Sequence, residues 1–255
     1  MDGLVKTQLQ EDGRVLRVWL NQPKGNVLSA AMMEALSGVL KSNASNSRLK
    51  LVMLQGEGGH FSFGASVEEH QKDQAPGMLR SFHRLCRDLA GYPIPVAAVV
   101  EGRCLGGAFE LALCCNVVFA LPNAMMGCPE IKLGVFPPVL AALGAQRLGG
   151  ALAERLILTG EAVGRDALVA ANAVVPVASV DDVLTWYRTH LAPLSAKALR
   201  ITTRVYRNAS GVLAALGARL EEAEQFYLAE VLSSHDGNEG IQAFLEKRPP
   251  RWEDA

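Results

Sequence analysis

What the chain lacks narrows its class before any motif is read. No uninterrupted apolar run approaches the roughly 20 residues that a bilayer-spanning helix needs, and the opening MDGLVKTQLQ has no apolar core of a secretion signal. The cytoplasm is the expected compartment. Cysteines number five, an odd count without a CxxC pair, so no disulfide framework is expected. Cys86, Cys104, Cys114, Cys115 and Cys128 lie in apolar segments and read as small buried hydrophobes. The five histidines show no HxxxH or HxH spacing, and no metal is expected. Aromatic residues are few, at 6%, and 25 basic against 26 acidic residues leave a net charge of −1. That balance draws the chain toward neither nucleic acid nor an anionic membrane, so any polyanionic ligand must be gripped locally. Fixed-period repeats and low-complexity tracts are missing too, which sets aside solenoids and linker-joined arrays.

What is present is a 255-residue chain, 49% hydrophobic, long enough to bury a real core as one large domain or two modest ones. Residues 4–9 and 14–20 are β-prone runs around Glu11-Asp12-Gly13, which reads as a hairpin. Met32, Met33, Leu36, Val39 and Leu40 recur at helical spacing after Ser29, a fitting N-cap, and LKLVMLQG at 49–56 reads as a buried strand. A helix over 77–91, a strand over 95–100, a Gly-opened apolar helix over 105–115 and a strand over 116–120 follow. From 138 onward the pattern is mostly helical, over 138–159, 164–171, 180–192, 195–208, 211–233 and 238–247, interrupted by the β-prone NAVVPV. The expectation is an α/β core over 1–190 carrying a helical section over 191–255.

The chemistry concentrates in 96–138. Between Val96 and Ala120 only Glu101, Arg103 and Glu110 are charged, and Glu110 stands inside LGGAFELALCC, which otherwise reads as a wholly buried helix. A buried carboxylate needs a partner or a purpose. It can pair with Arg103, cap a backbone group, or act on a ligand. Gly106 and Gly107 precede it by four and three residues, so on a helix they share its face about one turn, roughly 5 Å, toward the N-terminus. A bare helix start offers unpaired N–H donors and the positive dipole end to an oxyanion. The loop HFSFGASV at 60–67 follows the strand over 49–56 and is placed to supply a second N–H. Cys128-Pro129-Glu130 puts another carboxylate between apolar segments, as a surface turn residue or as a second acid.

The string LGGAFEL, followed by PEIKLGVFP with Glu110 and Glu130 spaced 20 apart, resembles the signature of the crotonase (enoyl-CoA hydratase/isomerase) superfamily. The resemblance begins at Leu20-Asn21-Gln22-Pro23-Lys24, continues through 61–67 and ends in EGIQAFLEKR at 239–248. It implies a crotonase-like spiral of ββα turns with a C-terminal helical trimerisation section, and a homotrimer or dimer of trimers. It implies an oxyanion hole from the Ala65 and Gly107 amides. Such donors stabilise the enolate formed when water adds to a conjugated thioester, and one donor is typically worth about 3 kcal/mol. Glu110 is implied as the group that activates water and Glu130 as the one that delivers a proton to carbon, with their pKa values held apart. Coenzyme A, as part of the substrate and not a cofactor, would be held at Lys24 and Gly25 and along Ser66, Val67 and Glu68, beside Gly106. Phe244 and Lys247 would arrive from the C-terminal helix of this chain or of a neighbouring subunit.

Two departures from the family pattern matter. Ser66 and Glu68 stand where ordinary members carry Asp and Lys, so a phosphate-facing Lys is lost. After Gly134 the usual Gly-rich PGxGG turn is replaced by GVFPPVLAALGAQR, with 13 positions from Gly134 to Arg147. Bulky apolar residues there imply a reshaped acyl pocket suited to a ring, and within the superfamily FSFGASVEEH, PEIKLGVF and FLEKR look most similar to hydratases of alicyclic dienoyl thioesters. Linear enoyl-CoA hydration or isomerisation is the rival, with a non-catalytic acyl-CoA or RNA binder behind it.

Overall fold

A turn of Glu11, Asp12 and Gly13, all with positive φ, folds β1 (Val5–Gln10) back antiparallel on β2 (Val15–Leu20). In the computed structural model, which describes residues 3–254, the chain then alternates helices with parallel strands. The Ser29 hydroxyl accepts from the Met32 amide and starts α1 (Ala30–Asn43), which buries Met32, Met33, Leu36 and Leu40. There follow β3 (Leu51–Gly56), α2 (Ala75–Ala90), β4 (Val96–Val100), the short β5 (Arg103–Leu105), α3 (Gly107–Cys114), β6 (Val117–Ala120) and β7 (Met125–Gly127).

The expected helical stretch over 138–159 is two helices, α4 (Pro138–Leu148) and α5 (Gly150–Thr159), because Gly149 between them takes φ 80° and turns the chain. After β8 (Ala162–Gly164), α6 (Arg165–Ala170) and β9 (Val175–Pro176) come α7 (Val180–His190) and α8 (Ala196–Ala209). Residues 212–231 form one helical run in which α9 (Val212–Ala214) and α10 (Leu220–Phe226) alternate with π-helical turns at Ala215–Arg219 and Tyr227–Val231. The last helix, α11 (His235–Leu245), is capped by Ser234.

The main sheet has the order β1-β2-β3-β4-β6-β9, parallel from β2 onward. Its central strands are covered on both faces, which is why they read as unbroken apolar runs. Val52, Leu54, Val96, Ala98 and Val100 face the larger core with α1, α2 and α3. Leu51, Met53, Ala97 and Val99 face Val183, Leu184 and Tyr187 of α7. A second sheet, β5-β7-β8, comes from strands of three residues each, too short for any periodicity to announce. Among the described residues no helix is long and apolar enough to cross a membrane.

Every residue of α3 is buried, so its end groups cannot turn to bulk water. At its C-terminal end the guanidinium of Arg207, from α8, donates to the Cys114 carbonyl at 2.8 Å, and that of Arg147, from α4, donates to the Cys115 carbonyl at 2.9 Å. Two cations thus meet the negative end of the dipole. The run over 212–231 shares the same core through Val212, Leu216, Leu220 and Tyr227, and His83 of α2 meets Glu224 of α10 at 2.5 Å. Replacing the buried Arg207 by Met is expected to lower the unfolding free energy by about 1.5–3 kcal/mol, the worth of a charged hydrogen bond, in urea titrations. Unchanged stability would show that Arg147 alone suffices for that helix end.

Candidate active site

The site is assembled around the N-terminal end of α3. The loop before α2 is zipped to β5 by Ser62 N–H to the Arg103 carbonyl and Leu105 N–H to the Ser62 carbonyl. Gly64, with φ 102°, makes the close approach possible, because a Cβ there would stand 2.6 Å from the Leu105 carbonyl oxygen. The loop thereby lays Ala65 beside the helix start: a Cβ on Gly107 would lie 3.5 Å from the Ala65 nitrogen. Neither the Ala65 nor the Gly107 amide has an acceptor among the described residues. Two free donors therefore sit side by side on the wall of one cavity.

Gly106 corrects one expectation. It is not on the helix beside Glu110 but precedes it, with φ 55° and ψ −134°, a conformation that L side chains avoid. Its bare Cα accommodates a carboxylate, since a Cβ would stand 2.6 Å from Glu130 Oε1.

Glu110, one turn into α3, is 3% exposed. Its partner is not Arg103 but the start of α4, where the Leu140 amide donates to Oε1 at 2.9 Å. The segment that departs from the usual Gly-rich turn thus opens a helix with two prolines, and that helix aims its N-terminal donors at the carboxylate. Burial pushes the Glu110 pKa up to about 7, against the pull of the Leu140 and Val139 amides. Glu130 stands in a 3-10 turn, Pro129–Leu133, and is not the surface residue of the alternative reading. Although the residue is half-buried, its Oε2 is sealed from solvent and has no partner among the described residues. Burial first, and then the charge of Glu110, raise its pKa to about 8. The acid met by the amides of a helix start ionises more readily, while the one met only by its own backbone N–H keeps its proton, the division of labour that acid–base chemistry at neutral pH needs.

Both acids line a cavity of about 80 Å³ whose apolar walls include Phe82, Leu133, Val135, Phe136 and Pro138. Phe63 stands between this cavity and a groove of about 440 Å³ formed by Lys24, Gly25, Asn26 and His60. Val67 lines the cavity as well. The Glu68 acid is held below its ordinary range first by its own backbone N–H and then by the Ser66 hydroxyl, which donates to Oε2 at 2.8 Å. Phe244 and Lys247 line neither cavity nor groove: α11 packs on the 68–70 and 129–133 turns of its own chain and leaves Phe244 exposed. A second groove of about 440 Å³, between Gln71, Lys72 and α11, contains neither of the two acids.

Two polar residues of the cavity escaped the sequence reading, His70 and Tyr227. His70 Nδ1 lies 2.7 Å from the Ser66 carbonyl, which can only accept, so that nitrogen carries the proton; burial lowers the pKa of the ring. Tyr227 falls inside the helical stretch expected over 211–233, with nothing in the periodicity to set it apart. The signal available for it was the hydroxyl itself, which a buried tyrosine must satisfy.

Because the folded protein retains protons on both acids above their ordinary value of 4.5, the pair's contribution to stability is full below that pH. It falls as pH rises toward about 8. Glu130→Gln is expected to flatten that fall, and denaturant melts from acid to mildly alkaline pH measure it. Gly106→Ala, which would drive a methyl into the Glu130 carboxyl, is expected to cost about 100-fold in turnover; wild-type activity would mean that Glu130 can move aside without consequence.

Residues 10–255 match the enoyl-CoA hydratase/isomerase family. The chain is 41% identical over 254 residues to a cyclohexa-1,5-dienecarbonyl-CoA hydratase of Thauera aromatica, covering 98% of this chain and 96% of that one. It is 34% identical over 247 residues to a 2,3-dehydroadipyl-CoA hydratase of Escherichia coli, covering 93% and 94%. An enoyl-CoA hydratase structure from Mycobacterium avium subsp. paratuberculosis superposes with a TM-score of 0.82 at 28% identity, covering 99% of both chains. With matches over nearly the whole length in sequence and in structure, the chain belongs to the enoyl-CoA hydratase/isomerase, or crotonase, family.

Proposed function

We propose that this member of the family hydrates cyclohexa-1,5-diene-1-carbonyl-CoA to 6-hydroxycyclohex-1-ene-1-carbonyl-CoA, a step in the degradation of aromatic acids. The observation that carries the reading is the pair Glu110 and Glu130, facing one cavity where two free amides stand together and the 134–147 segment supplies Val135, Phe136 and Pro138 as walls. The 41% identical relative named for that substrate supports the choice of acyl group.

The thioester carbonyl is held by the Ala65 and Gly107 amides, which bind it more strongly as charge develops on its oxygen. Glu110 takes a proton from water, and the water oxygen bonds to the β-carbon. The electron pair moves through the conjugated system onto the carbonyl, giving a dienolate. Glu130 then delivers its proton to the γ-carbon on the far side of the ring, leaving one conjugated double bond. Water is added overall in a 1,4 sense, and no redox cofactor or metal takes part. Coenzyme A runs from the cavity past Phe63 into the groove at Lys24 and Gly25, with Ser66, Val67 and Glu68 along its path. Phe244 and Lys247 reach a bound nucleotide only if α11 of another subunit presents them, in a homotrimer or dimer of trimers held together by the 191–255 section.

Hydration of a linear enoyl-CoA is the second reading, favoured by the 34% identity to a hydratase named for the open-chain 2,3-dehydroadipyl thioester. Turnover with the cyclic dienoyl thioester is expected to exceed turnover with crotonyl-CoA, and the reverse preference would overturn the ring assignment. Since Glu110 must be ionised and Glu130 protonated, kcat/KM is expected to rise with pH through about 7 and fall through about 8, as macroscopic values of the pair. Glu110→Gln and Glu130→Gln are each expected to lower kcat about 10²- to 10⁴-fold while KM changes little. A variant with near-normal kcat would remove its residue from the mechanism.

A further inference from the structure

Two polar atoms of the cavity have no partner among the described residues, Glu130 Oε2 and the Tyr227 hydroxyl. They differ in what explains them. A carboxyl that gives its proton to carbon must present an oxygen to that carbon, so an unpaired oxygen on Glu130 fits the proposed reaction. Tyr227 has no such duty, yet it is 1% exposed and a buried phenol ordinarily finds a hydrogen-bond partner.

The hydroxyl is delivered deliberately. Tyr227 is the first residue of the π-helical turn Tyr227–Val231, an irregularity that shifts the phase of the helix and that recurs at functional positions. Its ring leans on Phe136, with centroids 5.5 Å apart, so the segment that walls the acyl pocket also braces the tyrosine. Burial and the charges of Glu130 and Glu110 raise its pKa, so the group stays protonated and is available as a donor.

On the proposed reading of the site, the acyl ring is hydrocarbon and the thioester oxygen is taken by the two amides. The remaining oxygen in the reaction belongs to the water being added, which becomes the ring hydroxyl. We propose that Tyr227 holds that oxygen, donating a hydrogen bond to the attacking water and, after the step, to the product hydroxyl. The water then gives one proton to Glu110, accepts from Tyr227 with one lone pair and bonds to the β-carbon with the other. Tyr227 keeps its own proton throughout. The site thereby binds the hydroxylated thioester through a contact that the unhydrated one lacks.

Tyr227→Phe in the full-length protein keeps the ring against Phe136 and removes only the hydroxyl. It is expected to lower kcat roughly 10- to 100-fold, the loss of one hydrogen bond to an oxygen carrying developing charge. Affinity for the unhydrated dienoyl thioester is expected to stay within about twofold, while the hydroxylated product binds about five- to tenfold more weakly. A merely structural tyrosine would weaken both ligands alike, and that result, or unchanged turnover, overturns the inference. The wild-type protein gives a check that needs no variant: 6-hydroxycyclohex-1-ene-1-carbonyl-CoA should bind more tightly than cyclohex-1-ene-1-carbonyl-CoA, and equal affinity overturns the inference as well. Wild-type protein that hydrates neither the cyclic dienoyl thioester nor crotonyl-CoA removes the functional reading and this inference with it. Hydration of either one, with Tyr227→Phe behaving as wild type on it, removes the role of Tyr227 alone.

Discussion

A carboxylate inside a wholly buried helix can persist as a neutral acid or as an anion met by fixed donors, and the surroundings of Glu110 hold it close to the balance between the two. Burial drives its proton on, while the first amides of α4 favour its loss. A second carboxyl brought into the same pocket cannot ionise as readily while the first is charged, and Glu130, without backbone donors on Oε2, is the one that retains its proton. The asymmetry between two chemically identical side chains thus originates in which of them faces a helix start.

The same helix end logic reaches across the molecule. The N-terminal end of α3 leaves the Gly107 amide free at the cavity, and its C-terminal end is met by Arg147 and Arg207. The helical part of the chain therefore does more than cover the sheet: α4 orients one acid, α8 satisfies the far end of α3, and the run over 212–231 contributes Tyr227 to the cavity wall. Stability and site geometry share these contacts, so the helix that carries Glu110 is held, through its acid and its C-terminal carbonyls, by elements distant in sequence.

Much of this was legible beforehand where a residue type contradicts its surroundings. Glu110 in LGGAFELALCC stood out because no buried apolar helix carries an acid without reason, and paired glycines before it marked a bare helix start. The hairpin, α1 with its Ser29 cap and the central strands followed from turn chemistry and period. What stayed hidden is long-range or too short to have a pattern. The strands β5, β7 and β8 have three residues each, and Gly149 splits a continuous apolar period through its φ alone. The partner of Glu110 is an amide of α4, and every residue has an amide, so nothing in the sequence singles out Leu140. His70 and Tyr227 reach the cavity through a turn and a π-helical phase shift, neither of which leaves a periodic trace.

The brevity of β9 has a consequence for how copies of the chain can meet. It closes one side of the six-stranded sheet with two residues, Val175 and Pro176, and a proline offers no N–H to a further strand. A strand added at that border finds no donor at Pro176, which leaves β1 as the border of the six-stranded sheet with a full ladder edge to offer.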